Sequence, residues 1–77
     1  MSVGDSLALA REAAGMSLQD VAAQTKIRPT ILAAMEAGDF SACGGDAYAR
    51  GQLRSIATVI GLDPASVVAE YEAEFGA

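Results

Sequence analysis

The sequence predicts an all-α fold of five short helices, on three observations. Apolar residues recur every three to four positions through most of the chain. The punctuation is that of helices, with Ser, Asp or Pro at starts and Gly just past ends. Alternating polar and apolar runs rich in β-branched residues, the mark of strands, are missing. The 77 residues suffice for one small domain over 1–77, and 52% hydrophobic content argues for a folded chain rather than a disordered one. A domain this small buries only roughly 60% of its unfolded surface, so its core is thin. Abundant alanine lets its elements pack closely.

The first helix is expected over 4–14, GDSLALAREAA, with Leu7, Ala10 and Ala14 on one face, Asp5 in the first turn and Gly15 as terminator. The second, over 17–25, opens on Ser17 as N-cap with Asp20 three residues on, a capping-box pattern, and turns Leu18, Val21 and Ala22 inward. The third, over 28–38, RPTILAAMEAG, takes Pro29 in its first turn, where the missing N–H costs nothing. Ile31, Leu32 and Met35 face the core and Gly38 closes the helix. Ser41, Gly44 and Gly45 mark DFSACGGD as a loop.

The fourth helix is expected over 46–60, with Asp46 as its N-cap. At 100° per residue, Ala49, Leu53, Ile56 and Ile60 fall on one narrow stripe, the core face. Tyr48, Gln52, Ser55 and Val59 make a neighbouring stripe, and Arg50, Arg54 and Thr58 lie on the far, exposed side. Gly61 stops it. The fifth, over 63–75, opens on Asp63–Pro64; Val67, Val68, Tyr71 and Phe75 face in and Glu70, Glu72 and Glu74 face out. The three glutamates alternate in sequence, so they read as a solvated face rather than as a metal or acid/base site.

Several function classes find no support. There is no histidine, no metal-ligand spacing and no glycine-rich phosphate loop, so the reading is of a protein that is not an enzyme and holds no cofactor. The lone cysteine, Cys43, makes no intramolecular disulfide and reads as a small loop residue in a reducing, cytoplasmic setting. No apolar run approaches the roughly 18–20 residues of a membrane span, and no signal peptide is visible. Net charge is −5, the wrong sign for a generic nucleic-acid binder. It is uneven: residues 1–54 hold all five basic and six acidic residues, and 55–77 hold four acidic and no basic ones. A local basic patch can therefore survive in the first two thirds.

A short helix, a glycine turn, a Ser-capped helix, a turn and a third helix ending in EAG resemble, in that order, the five-helix λ-repressor-like helix-turn-helix domains. More narrowly, KIRPTIL, EAGDF and YARGQLRS followed by GLDP resemble the N-terminal cytoplasmic domain of the RodZ family of bacterial cell-shape proteins, over about residues 4–75. Ordinary repressor domains share the first half only. The resemblance implies a longer protein with a linker, a transmembrane helix and a periplasmic part, and a protein partner, the actin-like filament protein MreB. Carried onto this sequence, the family's contact residues on the fourth helix fall on Tyr48, Arg50, Gln52 and Arg54. Gln52 stands where members often carry a second aromatic, and ACGGD lacks the proline usual in the preceding loop.

The alternative is DNA binding by the third helix, using Lys26, Arg28 and Thr30. DNA-binding relatives often place glutamine after the cap of the second helix, where Leu18 stands here. Of the positions that would meet base edges, Arg28, Pro29, Thr30, Ala33 and Ala34, only Arg28 and Thr30 can hydrogen-bond. Each good bidentate contact supplies about 1–3 kcal/mol of discrimination, so these two make a weak reader. A third reading is a homotypic adaptor, in which the acidic fifth helix of one copy meets the Arg50/Arg54 stripe of another.

Overall fold

The computed structural model describes residues 1–76 and contains five α-helices: α1 (Val3–Ala13), α2 (Leu18–Thr25), α3 (Pro29–Glu36), α4 (Asp46–Ile60) and α5 (Pro64–Phe75). A single 3-10 turn, Ser41–Cys43, sits between α3 and α4, and no strand occurs among the described residues. The all-α, five-helix fold expected from the sequence is the fold observed.

Two helices start with the same device. Ser17 caps α2, its hydroxyl accepting from the backbone N–H of Asp20 while the Asp20 carboxylate accepts from the Ser17 N–H. An identical reciprocal box, Ser2 with Asp5, starts α1 at Val3, one residue before the expected 4–14 span. The backbone N–H of Ser2 and its hydroxyl hold the Asp5 carboxyl below the usual carboxylate range, and the Ser17 pair does the same to Asp20. Asp63 caps α5 by accepting from the Ser66 N–H at 3.0 Å.

The core is built around α4, which packs against α5, α2 and α1. Leu53, Ile56 and Ile60 meet Leu7, Val21, Leu32, Met35, Val67, Val68 and Tyr71. Fully burying each such side chain contributes about 1.5–3 kcal/mol. Helices α1 and α3 cross closely at Gly4: a Cβ there would lie 2.5 Å from the carbonyl oxygen of Glu36 and 2.7 Å from that of Met35. Above this crossing, the Arg11 guanidinium donates to both Glu36 carboxylate oxygens, at 2.7 and 3.0 Å, and to the Met16 carbonyl at 3.0 Å. That fork raises the guanidinium's pKa and ties α1, the following turn and α3 together.

Several sequence expectations are corrected. Ala14 is an exposed C-cap, and Val3 takes the core position on α1 instead. Gly45, not Asp46, is the N-cap of α4, because φ of +116° there needs a glycine. Phe75 is 47% exposed, although its ring packs edge-on against Phe40 at 5.2 Å. Cys43 belongs to the core, and burial raises its thiol's pKa, so it is no ordinary loop residue. Glu70, Glu72 and Glu74 are not simply solvated. Glu70 accepts from the Ser6 hydroxyl at 3.0 Å, Glu72 pairs with Arg50, and Glu74 accepts from the Val3 N–H at 2.9 Å. The expected acidic face is thus the means by which α5 is tied to α1 and α4.

Candidate interaction site

The connection between α2 and α3 is tight. Lys26, at the C-cap of α2, adopts the left-handed conformation with φ of +64° and donates its backbone N–H to the Ala22 carbonyl at 2.8 Å. Among the described residues it is the one non-glycine at positive φ, a conformation costing about 1 kcal/mol outside glycine. Ile27 then plugs into the core, and Arg28–Pro29 launches α3.

On α3 only Leu32 and Met35 are fully buried and Ile31 is half-buried. Its outer positions Thr30 and Ala33, and its C-cap Ala37, are exposed. Lys26, Arg28 and Thr30 therefore do lie at the surface on one turn. Leu18 is half-buried against the core and offers no polar group there.

On α4 the four residues expected to act together separate into two groups. Tyr48 is 69% exposed, its ring lying beside Gly44, whose φ of +97° excludes most other residues. Tyr48 and Gln52 line a shallow groove of about 230 Å³, with Ala47, Gly51 and Ser55 from the same helix, Thr25 from the end of α2 and Ile27 from the α2–α3 connection. The carboxamide oxygen of Gln52 is shielded from solvent and has no hydrogen-bond partner among the described residues.

The two arginines lie away from that groove's lining. Arg50 is not on the exposed far side, as the helical wheel implies. Its Nε donates to Glu72 of α5 at 3.0 Å, and both side chains are partly buried. Arg54 is exposed and forms no ion pair among the described residues. Asp46 makes no bond to Arg50 either; it accepts from the Tyr71 hydroxyl at 2.8 Å. Two facts escaped the sequence: the α2–α3 connection supplies one wall of the groove, and Arg50 already has a carboxylate. Neither leaves a local signal, because both depend on elements distant in sequence.

No group of His, Cys, Asp and Glu suited to hold a metal occurs among the described residues, and no helix among them is long and apolar enough to cross a membrane. A tight α2–α3 connection inside a five-helix bundle defines a small helix-turn-helix domain. The chain belongs to the helix-turn-helix domain family that it matches over residues 6–67. It is 35% identical over 71 residues to the cytoskeleton protein RodZ of Streptococcus pneumoniae, an alignment covering 92% of this chain and 26% of that protein. The chain thus spans about a quarter of the length of this relative. Its structure is similar to that of YmfM from Staphylococcus aureus, described as a candidate DNA-binding membrane protein, with a TM-score of 0.86 and 27% identity over 96% of this chain and 90% of that one.

Proposed function

We propose that this domain is a non-catalytic protein-interaction module of the RodZ type, which binds an actin-like MreB filament on the cytoplasmic side of the bacterial membrane. The observation that carries the reading is Tyr48, a large aromatic left 69% exposed, which lines a groove together with Gln52. Tyrosine offers rigid amphipathic area at low entropic cost and is enriched at the centres of interfaces. The likeness to RodZ, a cytoskeleton protein, supplies the class of partner. Within the site, Tyr48 and Gln52 make the contact surface, Arg54 adds charge, and Arg50 acts by holding α4 against α5.

DNA binding is the second reading. It is favoured by the unpaired Lys26 and Arg28 beside the connection and by the description of YmfM as a candidate DNA binder. The small outer side chains of α3 argue against base readout, so binding through these residues would be weak and steeply salt-dependent. The homotypic adaptor loses its main contact, since Arg50 meets Glu72 within one chain.

Titration of the domain against MreB and against random duplex DNA, at low and physiological salt, separates the two readings. Saturable filament binding that Tyr48→Ala weakens, with the helical circular dichroism signal intact, is the expected outcome. DNA binding without filament binding would overturn the proposal.

A further inference from the structure

The two cations that bracket Ile27 both break a local rule of helix ends. Lys26, the chain's single lysine, ends α2 at φ of +64°, a conformation that penalises every residue with a Cβ and that glycine or asparagine usually fills. Two residues on, Arg28 is the N-cap of α3 and makes no side-chain cap hydrogen bond. The other α-helices start on Ser2, Ser17, Gly45 and Asp63, all residues suited to that position. A cation at a helix N-terminus also opposes the helix dipole. Both departures have the same sense: a positive side chain stands where another residue would stabilise the end. Neither is compensated within the chain, for both side chains are exposed and neither forms an ion pair among the described residues. Positions that break local rules without an internal gain are where function is expected.

Lys26 and Arg28 are also the only charged residues lining an open groove of about 390 Å³ on this turn. The rest of its lining is mostly apolar, with Ala22, Ala23, Ile27 and Pro29. No carboxylate enters it, and Asp20, the acidic residue nearest in sequence to Lys26, is engaged in the cap with Ser17. A chain of net charge −5 thus presents a local patch of the opposite sign. The three glutamates of α5 lie on a helix that packs on α4 and α1. Arg54, the third cation without an ion pair among the described residues, is outside the groove's lining.

We infer that the α2–α3 turn is a bilayer-facing surface, which sets Lys26 and Arg28 among the phosphates of anionic phospholipid headgroups and turns the apolar lining of the groove toward the glycerol and acyl carbons beneath them. A bilayer interface offers both chemistries together, phosphate outside and hydrocarbon within. A nucleic acid backbone would match the two charges but leave the apolar lining unused, and the exposed Thr30 and Ala33 of α3 give it little to read. The inference rests on the placement of the domain beside the membrane in the reading above, and it adds an orientation, with the α2–α3 turn toward the lipid. Two cations attract too weakly to recruit a protein from solution, so the contact orients a domain already held near the bilayer.

Two-dimensional NMR of the chain with phosphatidylcholine bicelles, with and without phosphatidylglycerol, tests this. The expected result is a set of amide shifts confined to residues 22–30, present only with phosphatidylglycerol and shrinking as salt rises. Lys26→Gly and Arg28→Ser should each weaken the interaction about fivefold, the loss expected for one cation at an anionic surface. Each should also raise the unfolding midpoint, because it restores the residue that its helix end favours. Arg54→Ser removes the same charge outside the groove and should leave the interaction within about twofold of wild type. Equal shifts without phosphatidylglycerol, an equal loss in Arg54→Ser, or a lowered midpoint in both Lys26→Gly and Arg28→Ser overturns the inference. Shifts at these amides with random duplex DNA and none with lipid would make the occupant a nucleic acid and likewise overturn it. Filament binding is measured separately. If filaments bind and bicelles do nothing, only the orientation falls; if bicelles act as expected and filaments do not bind, only the filament reading falls.

Discussion

The hydroxyl of Tyr71 donates a 2.8 Å hydrogen bond to Asp46, joining the middle of α5 to the first residue of α4. One residue on, Glu72 accepts from Arg50, one turn further along α4. Two successive residues of α5 thus grip two successive turns of the helix that carries Tyr48 and Gln52. The aromatic ring of Tyr71 sits in the core against Phe40, with centroids 5.1 Å apart, so the grip is both polar and apolar. The candidate site therefore stands on a helix fixed from behind.

Tyr71→Phe keeps the ring and removes only the bond, and should cost about 1 kcal/mol of stability. The bond also raises the Tyr71 pKa, because ionisation would place a phenolate beside the Asp46 carboxylate. A raised folded pKa means that this stabilisation is complete below the unfolded tyrosine value near 10 and is lost as pH rises through the folded value. In a Tyr48→Phe background, ultraviolet titration of the remaining phenol should therefore give a midpoint above that of free tyrosine.

Arg50 and Arg54 should behave differently despite sharing α4. Arg50→Ala breaks a partly buried pair with Glu72 and should lower the unfolding midpoint, and Glu72→Ala should produce a similar loss. Arg54→Ala should leave stability within about 0.5 kcal/mol of wild type and act on partner binding alone. A double-mutant cycle over Arg50 and Glu72 checks the coupling; additive losses would show that the pair contributes nothing.

Gly4→Ala should destabilise the domain by about 1–3 kcal/mol, since the new methyl must push α1 away from the Glu36 and Met35 carbonyls. The same substitution at Gly51 is expected to stabilise. Chemical denaturation of the two variants side by side measures both signs. The Arg11–Glu36 fork would be strained by the Gly4 change, so Arg11→Lys, which cannot reproduce the bidentate geometry, should destabilise in the same direction by about 1 kcal/mol.

Acid should weaken the helix starts first. Asp5, Asp20 and Asp39 have lowered pKa values: the Ser2 and Ser17 backbone N–H groups act most strongly on the first two, the Ser41 hydroxyl on the third. With a depressed folded pKa, the stabilisation is present above the unfolded carboxylate value near 3.9 and is lost as pH falls through the folded value. Thermal melts followed by circular dichroism should hold steady down to about pH 4 and fall below it. Asp20→Asn should flatten that acid limb.

Local signals carried most of the fold. Ser17 with Asp20, Pro29, Gly61 and Asp63–Pro64 act within a single helical turn, so the residues that set those helix ends were legible as written. The core stripe Ala49, Leu53, Ile56 and Ile60 was equally plain, because burial of one helix face imposes its period on the sequence. The candidate site was legible in part. Tyr48 and Gln52 could be placed on one side of α4, but nothing local says that Thr25 and Ile27 stand opposite them.

The sequence by itself determined five helices and most of their ends and inner faces, because caps and amphipathic periods are short-range physics. Only the tertiary structure decided what each polar side chain does. It gave Glu72 to Arg50, Asp46 to Tyr71 and Glu36 to Arg11, pairs separated by 22 to 25 residues. It left Arg54 exposed and Gln52 without a partner. It also distinguished Gly4, pressed against α3, from Gly51, which has open space around it. Charge pairing and close approach depend on which helices cross, and a helix's own sequence does not encode its neighbour.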